Sequence, residues 1–466
     1  MFQYLSIIVL CISGLIQANP QQVAFSSLDK VPQHGRFLHL TDIHMDDHYH
    51  VGATITSFCH RDPKKHSKKK ARKGKLAGYW GAPATDCDSA PHMVYHSIDW
   101  IAQEWKDKID FVIWTGDNAR HDTEPGKIRR SGEEILHYNI RITEALQRAF
   151  QRQNYTIPIV PCLGNNDVHP HNKLSGPTND DPQENKQLII YSHIWRDLIP
   201  SDQISTFRHG GYFSVSVAPG IRVLSLNTLY FFDSNDVVGG CDVDGPGRDH
   251  IQWMEQQLND ARQQGEKIYI MGHVPPTTKS FKHDCLEAYT RVSLNYQDII
   301  QAHFYGHANM DHFQLLHSSN NDDDGDDDIV IRGNNMARKL RKQYKRSLKK
   351  YNPEDLVVIH VAPPLLPVYN PTFRVNEYNA DHQSPTFGMW TKYTQWYSDL
   401  AYWNHQYNLD NTTRPSFEIE YATDDDYDMQ DLSPQSWLHF ASLLVKKSPA
   451  AQSLWSSYLQ NMVVQT

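Results

Sequence analysis

Five short runs of apolar and β-branched residues, each ending in a cluster of polar side chains, set the rhythm of the chain. They are "RFLHL" from Arg36, "IDFVIWTG" from Ile109, "IPIVPCLG" from Ile157, "EKIYIMG" from Glu266 and "AHFYG" from Ala302. Short continuous apolar runs of this kind predict buried strands. Between them, "RDHIQWMEQQLNDARQQ" puts Ile251, Met254, Leu258 and Ala261 on one face of a predicted helix, and "GEEILHYNIRITEALQRAFQRQ" has the same period. The stretch "YFSVSVAPGIRVLSLNT" reads as a hairpin turning at Pro219-Gly220. Strands alternating with helices, plus a hairpin, predict an α/β layered sheet, with ligand sites beyond the carboxyl ends of the strands.

Length and composition narrow the class. The 466 residues are enough for a sizeable core, and the many aromatics (11 Trp, 24 Tyr) exclude a wholly disordered chain. A net charge of -9 names no partner. The opening residues hold an apolar run from Leu5 to Ile16 that suits a signal h-region over residues 1–18, and a cleaved signal and a short signal-anchor both stay open. Either places the body on the lumenal or extracellular side. Five cysteines follow: Cys59 with Cys87 and Cys241 with Cys285 would each close a polar loop, which leaves Cys162 a buried thiol, although connectivity is not fixed by sequence. Asn154 and Asn411 head glycosylation sequons. Three charged tracts, Lys64 to Lys75, Asp322 to Asp328 and Arg338 to Lys350, read as insertions that self-repel; the basic ones either capture a polyanion or are simply solvated.

The polar clusters at the strand ends are "TDIH", "TGDNARHD", "GNND", "GHVPP" and "GHANMDH". Asp42 and His44, two apart beyond a strand, can turn to one side and grip a metal; Asp117 at the next strand end can bridge a second ion. Asn165, His273 and His307 add amide oxygen and imidazole. This N/O set suits Zn, Mn, Fe or Mg. Each motif alone is weak, because a lone Asp-x-His is more often a cap beside a surface imidazole. Five at successive strand ends make a site.

The order Asp-x-His, Gly-Asp, Gly-Asn-x-Asp, Gly-His, Gly-His-x resembles the calcineurin-like metallophosphoesterases. "WTGDNARHD", "NPTFRV" and "FEIEYATDDDYDMQDLSP" are similar to their acid sphingomyelinase-like branch, and "GNNDVHPHN" with "GHANMDHF" resembles the fungal endopolyphosphatases. The resemblance implies a four-layer αββα sandwich over 35–375, with charged insertions at 64–75 and 320–350 and a C-terminal helical extension over 376–466 packed on it. It implies two divalent metal ions, one held by Asp42, His44, Asp117 and Asn309 and the other by Asp117, Asn165, His273 and His307. Asn309 and Asn166 stand where the wider superfamily has histidines. The implied activity is hydrolysis of internal phosphoanhydride bonds of inorganic polyphosphate in the vacuole, with membrane contact only through the N-terminal segment and no nucleic-acid partner. A phosphate leaving group relaxes the need for a proton donor, so Asn166 is tolerable; His121 is the first candidate donor or an orienting residue, with His169 and His171 behind it. The rivals are an acid sphingomyelinase-like phosphodiesterase and a catalytically silent polyanion-binding protein.

Overall fold

The run Phe37 to Leu40 lacks polar alternation because both faces of its strand are covered. In the computed structural model, which describes residues 34–63, 76–153, 155–177, 185–318 and 334–466, this strand, β1 (His34–Leu40), pairs in parallel with β2 (Phe111–Trp114), which pairs in parallel with β3 (Ile159–Pro161). A second set follows: β4 (Phe213–Ala218), β5 (Ile221–Ser225), β6 (Lys267–Met271), β7 (Ile300–Tyr305), β8 (His312–His317) and β9 (Leu356–Val361). The last three are β10 (Thr372–Asn379), β11 (Trp390–Tyr397) and β12 (Glu418–Ala422). Among the described residues they form two six-stranded sheets, ordered β12-β11-β10-β1-β2-β3 and β4-β5-β6-β7-β9-β8.

The helices are α1 (Pro91–Trp105), α2 (Gly132–Ala149), α3 (Lys186–Ile194), α4 (Ile204–Gly210), α5 (Pro246–Gln264), α6 (His283–Asn295), α7 (Asn334–Lys350), α8 (Leu400–Leu409), α9 (Pro434–Val445) and α10 (Pro449–Met462). Period-2 alternation along the strands sorts the core. Phe37, Phe111, Ile113 and Val160 join the cluster that contains the second sheet, whereas Leu38, Leu40, Val112 and Trp114 join Ile98 and Ile101 of α1 and Ile142 and Leu146 of α2. On the other side Met254 and Leu258 of α5 and Leu286 and Tyr289 of α6 pack with the second sheet. The expected four-layer α/β sandwich is present, and the hairpin β4–β5 turns at Pro219-Gly220 as the sequence predicts. In parallel pairing Leu40 lies beside Trp114, and Trp114 beside Pro161. The polar clusters that follow these strands therefore emerge together.

Three features differ from the sequence reading. The tract Arg338 to Lys350, taken there as a self-repelling insertion, lies within α7: Ala337, Leu340, Tyr344 and Ser347 are buried along one face, and Tyr344 stacks on Phe313 at 4.5 Å. Charge density hid an apolar stripe at helical spacing. The stretch from 376 onward holds more than helices, for it supplies the end of β10 and all of β11 and β12 to the first sheet; its Trp and Tyr residues mark β-strand packing. The single final amphipathic stretch is two helices, separated because Ser448 caps α10 through Ala451 N and Pro449 occupies its first turn. The leader, 64–75, Asp322 to Asp328 and Asn154 lie outside the described residues. Among those described, no helix is long and apolar enough to cross a membrane. Asn411 is exposed. The disulfides are Cys59–Cys87 and Cys241–Cys285, and Cys162 is a buried free thiol whose pKa burial pushes well up.

The two sheets are tied by a buried ion pair. Arg374 of β10 bonds Asp311, just ahead of β8; Tyr421 of β12 also bonds Asp311, and Arg374 Nε donates to Gln395 Oε1 at 2.8 Å. Removing one partner leaves a buried charge alone, so Asp311→Ala is expected to lower stability by about 3–5 kcal/mol in a denaturant titration; a loss below about 1 kcal/mol would show that the clamp is dispensable. The network runs on to Glu420, which accepts from Gln395 Nε2 at 2.7 Å. Burial, with the Asp311 charge behind it, pushes the Glu420 carboxyl up to about 8 from 4.5. The folded chain thus holds a proton that the unfolded chain releases above about pH 4.5, and stability falls as pH rises from there to about 8. In melting curves across this range Glu420→Gln is expected to flatten that fall; an unaltered slope would place its source elsewhere.

Candidate metal centre

Backbone conformation at the strand ends turns the donors inward. Asp42 (φ 49°), His44 (φ 42°), Asp117 (φ 61°), His307 (φ 69°) and Asn309 (φ 51°) all sit in the left-handed region that side chains other than glycine's rarely enter. Two glycines let these ends meet. A Cβ on Gly164 would collide with the backbone N and Oδ1 of Asp117, and one on Gly306 with Thr41 Oγ1 and Asp42 Oδ2. Glycine is required there by close approach.

Two clusters result, sharing one carboxylate. In the first, His44 donates Nδ1–H to Ala119 O at 3.1 Å, which leaves Nε2 facing Asp42 Oδ1 at 3.5 Å and Asp117 Oδ2 at 3.6 Å. In the second, His273 donates Nδ1–H to Thr115 O at 2.8 Å, and its Nε2 faces Asn165 Oδ1 at 2.9 Å and Asp117 Oδ2 at 3.1 Å. His307 Nδ1 completes it, 2.8 Å from Asn165 Oδ1 and 3.3 Å from His273 Nε2. Backbone carbonyls thus hold each ring with Nε2 facing oxygen, where a proton or a metal ion would supply the positive charge between them.

The electrostatics agree. Burial works against the Asp117 charge, but His273, His44 and His307 outweigh it and hold the carboxyl well below its usual range. Burial would likewise lower His44 and His273, yet the carboxylates Asp42 and Asp117 raise both to about 9. The site attracts cations. His44 Nε2 and Asn309 Oδ1 are moreover buried with no hydrogen-bond partner among the described residues. Orphaned donor atoms beside two ionised carboxylates fit a divalent ion.

A calcineurin-like phosphoesterase model matches residues 35–309, over half of the chain. The chain belongs to the calcineurin-like phosphoesterase family. An endopolyphosphatase of Cryptococcus neoformans var. neoformans serotype D is 35% identical over 416 residues, 77% of this chain and 60% of that one. The endopolyphosphatase of Saccharomyces cerevisiae is 38% identical over 289 residues, 60% of this chain and 41% of that one. This chain spans about half the length of the curated relatives it matches. A solved dimetal phosphatase from Danio rerio overlays with a TM-score of 0.39 at 9% identity, covering 78% of this chain and 95% of that chain, a likeness that carries no inference.

Within this family frame the structure brings Asp42, His44 and Asp117 together, and Asp117, Asn165, His273 and His307. Asn309 shares the loop of His307. Asn166 faces inward, with its Nδ2 donating to Asp117 Oδ2 at 2.9 Å. His121 stacks on His44 at 4.0 Å and is gripped by Asp88, whose carboxylate accepts from His121 Nδ1 and backbone N at 2.7 Å each. His171 approaches Asn165 Nδ2 at 3.2 Å; His169 is exposed and its backbone N donates to Gln187. Sequence reading assigned no role to Asp88, Asp167 or Arg130. Asp167 accepts from the backbone N of Asp117 and of Asn118 at 2.8 Å and of Gly164 at 3.0 Å, splinting two strand ends. Its place at the end of "GNND" was the available signal; Asp88 had only its position beside Cys87.

Gly164→Ala leaves every donor in the chain but drives a methyl into Asp117. Divalent-ion affinity, read by calorimetry, is expected to drop by about 10- to 100-fold. Unchanged affinity would show that the position of Asp117 is not what holds the ion.

Proposed function

We propose that this chain hydrolyses internal phosphoanhydride bonds of inorganic polyphosphate, with two divalent ions held around Asp117. The observation that carries the reading is the sharing of Asp117 Oδ2 between His44 Nε2 on one side and His273 Nε2 on the other. Asp42, His44, Asp117 and Asn309 would hold one ion, and Asp117, Asn165, His273 and His307 the other. Mn, Mg, Zn and Fe all suit these donors. Bound there, the ions would supply Lewis acidity to phosphoryl oxygens and to the attacking water.

The protein's own contribution is alignment and charge. Asp42 is locked by Thr41 Oγ1 at 2.5 Å and by the His307 backbone N at 3.0 Å, so it cannot swing to meet solvent. His121 has its Nδ1 held by Asp88, and its Nε2 is the atom that would give or share a proton with a departing oxygen. Position 166 carries an amide that cannot protonate a leaving group. A phosphate leaving group needs that proton less than an alkoxide does, which favours an anhydride over a diester substrate. The naming of the relatives as endopolyphosphatases supports the same substrate. Two disulfides support a lumenal, oxidising compartment such as the vacuole.

The test is a gel of long-chain polyphosphate after incubation with purified protein and divalent ions. Mid-chain shortening that a chelator and Asp117→Ala both abolish is expected. Faster turnover of sphingomyelin or a chromogenic diester would replace this reading with a phosphodiesterase, and binding without cleavage would leave a polyanion-binding protein.

A further inference from the structure

Arg130 is a buried cation with no ion-pair partner among the described residues. It is 3% exposed and lies directly before Ser131, the cap of α2. Its Nη1 donates to Arg120 O at 2.8 Å, Asn166 O at 3.1 Å and Asn166 Oδ1 at 2.8 Å. Among the described residues it makes no ion pair, and its Nε and Nη2 have no partner. Arg120, ten positions earlier, shows the contrast: its Nε and Nη2 clamp Glu134 at 2.7 and 3.1 Å. Arg374 is likewise matched by Asp311.

The location of this unmatched charge is specific. Arg130 touches the Asn166 amide, and the same amide touches Asp117 Oδ2 at 2.9 Å, so one side chain separates the guanidinium from the carboxylate shared by both clusters. Burial depresses the Arg130 pKa, and the carboxylates that oppose this, Asp117, Asp122 and Asp167, form no ion pair with its guanidinium among the described residues; Asp122 Oδ1 accepts instead from the Arg130 backbone N at 3.3 Å. Asp117 faces His44 and His273, while Asp167 is engaged with four backbone N–H groups. A buried, charged fork with free N–H groups fits an oxyanion supplied from outside, because guanidinium geometry matches phosphoryl oxygens bidentately.

We propose that Arg130 contacts a phosphoryl oxygen of the polyphosphate chain beside the reacting phosphorus, and so selects a substrate charged on both sides of the bond to be cut. This rests on the phosphoanhydride reading above. A diester carries one charge and a neutral flank, and gains little from a second cation; each unit of polyphosphate offers an oxygen. Arg130 also steers Asn166: its N–H on Oδ1 leaves Nδ2 to meet Asp117.

The test separates contact from support. The full, metal-loaded chain and its Arg130→Gln and Arg130→Lys variants are titrated by calorimetry with bis(methylene)triphosphate, whose bridging carbons resist cleavage, and metal content is measured alongside. Arg130→Gln is expected to keep its metal and to weaken analogue binding about tenfold or more, as loss of a charge-assisted contact implies, with Arg130→Lys between it and the parent. Parental affinity in both variants would overturn the proposal. Joint loss of metal and analogue would also overturn it, since Arg130 would then act only through Asn166 and Asp117. Should the parent chain fail to shorten polyphosphate, the phosphoanhydride reading falls, while the titration still decides whether Arg130 meets phosphoryl oxygen.

Discussion

Everything in the centre depends on backbone held in a conformation it would not choose. Five donors hang on left-handed residues, and each such residue costs on the order of 1–3 kcal/mol unless its surroundings over-determine it. The surroundings do so with hydrogen bonds between strand ends: Asp42 N to Gly116 O at 2.9 Å, Ile43 N to Asp117 O at 2.8 Å and Leu365 N to Thr41 O at 2.7 Å. Asp167 adds its carboxylate under Asp117 and Asn118. The strain is thus spread over two sheets, and these bonds fix the candidate donors in place.

The same logic governs charge. Nearly every buried charge near the centre has a declared partner: Asp88 has His121, Arg120 has Glu134, and Arg374 has Asp311 across the sheets. Such matching keeps the polar interior from working against folding, since an unpaired buried charge is among the costliest features a core can hold. Asp117 is met by His44 and His273, whereas Arg130 makes no ion pair among the described residues. Asn166 lies between them and bonds both.

The covalent ties reinforce this placement. Cys59 precedes His60, which bridges Asp46 at 2.8 Å and Glu124 at 3.1 Å, and Cys87 precedes Asp88, the partner of His121. One disulfide therefore anchors two charged contacts on the rim of the centre. Asp46 and Asp47, which crowd the sequence beside His44, have structural duties: Asp46 accepts from His60, and Asp47 pairs with Arg141 at 2.6 Å. Neither adds a donor to the clusters.

Local pattern alone determined β1 to β7, with the hairpin at Pro219-Gly220, and pointed to Asp42, His44, Asp117, Asn165, His273 and His307 as candidate donors, because buried strands need unbroken apolar runs and metal donors need particular atoms at strand ends. The cysteine pairing was left open by the sequence, and the structure settles it as the two pairs that each close a local loop. Composition misled at Arg338 to Lys350, where net charge outweighed a stripe of Ala337, Leu340 and Tyr344, and beyond residue 376, where β11 and β12 join the first sheet. Only the tertiary structure decided the roles of Asp88, Asp167, Arg130 and Asp311. Each acts on a partner 33 to 63 positions away in the chain. A single carboxylate or guanidinium looks the same in sequence whether solvent or a buried counterpart meets it, and only the packing of one strand end against another tells them apart.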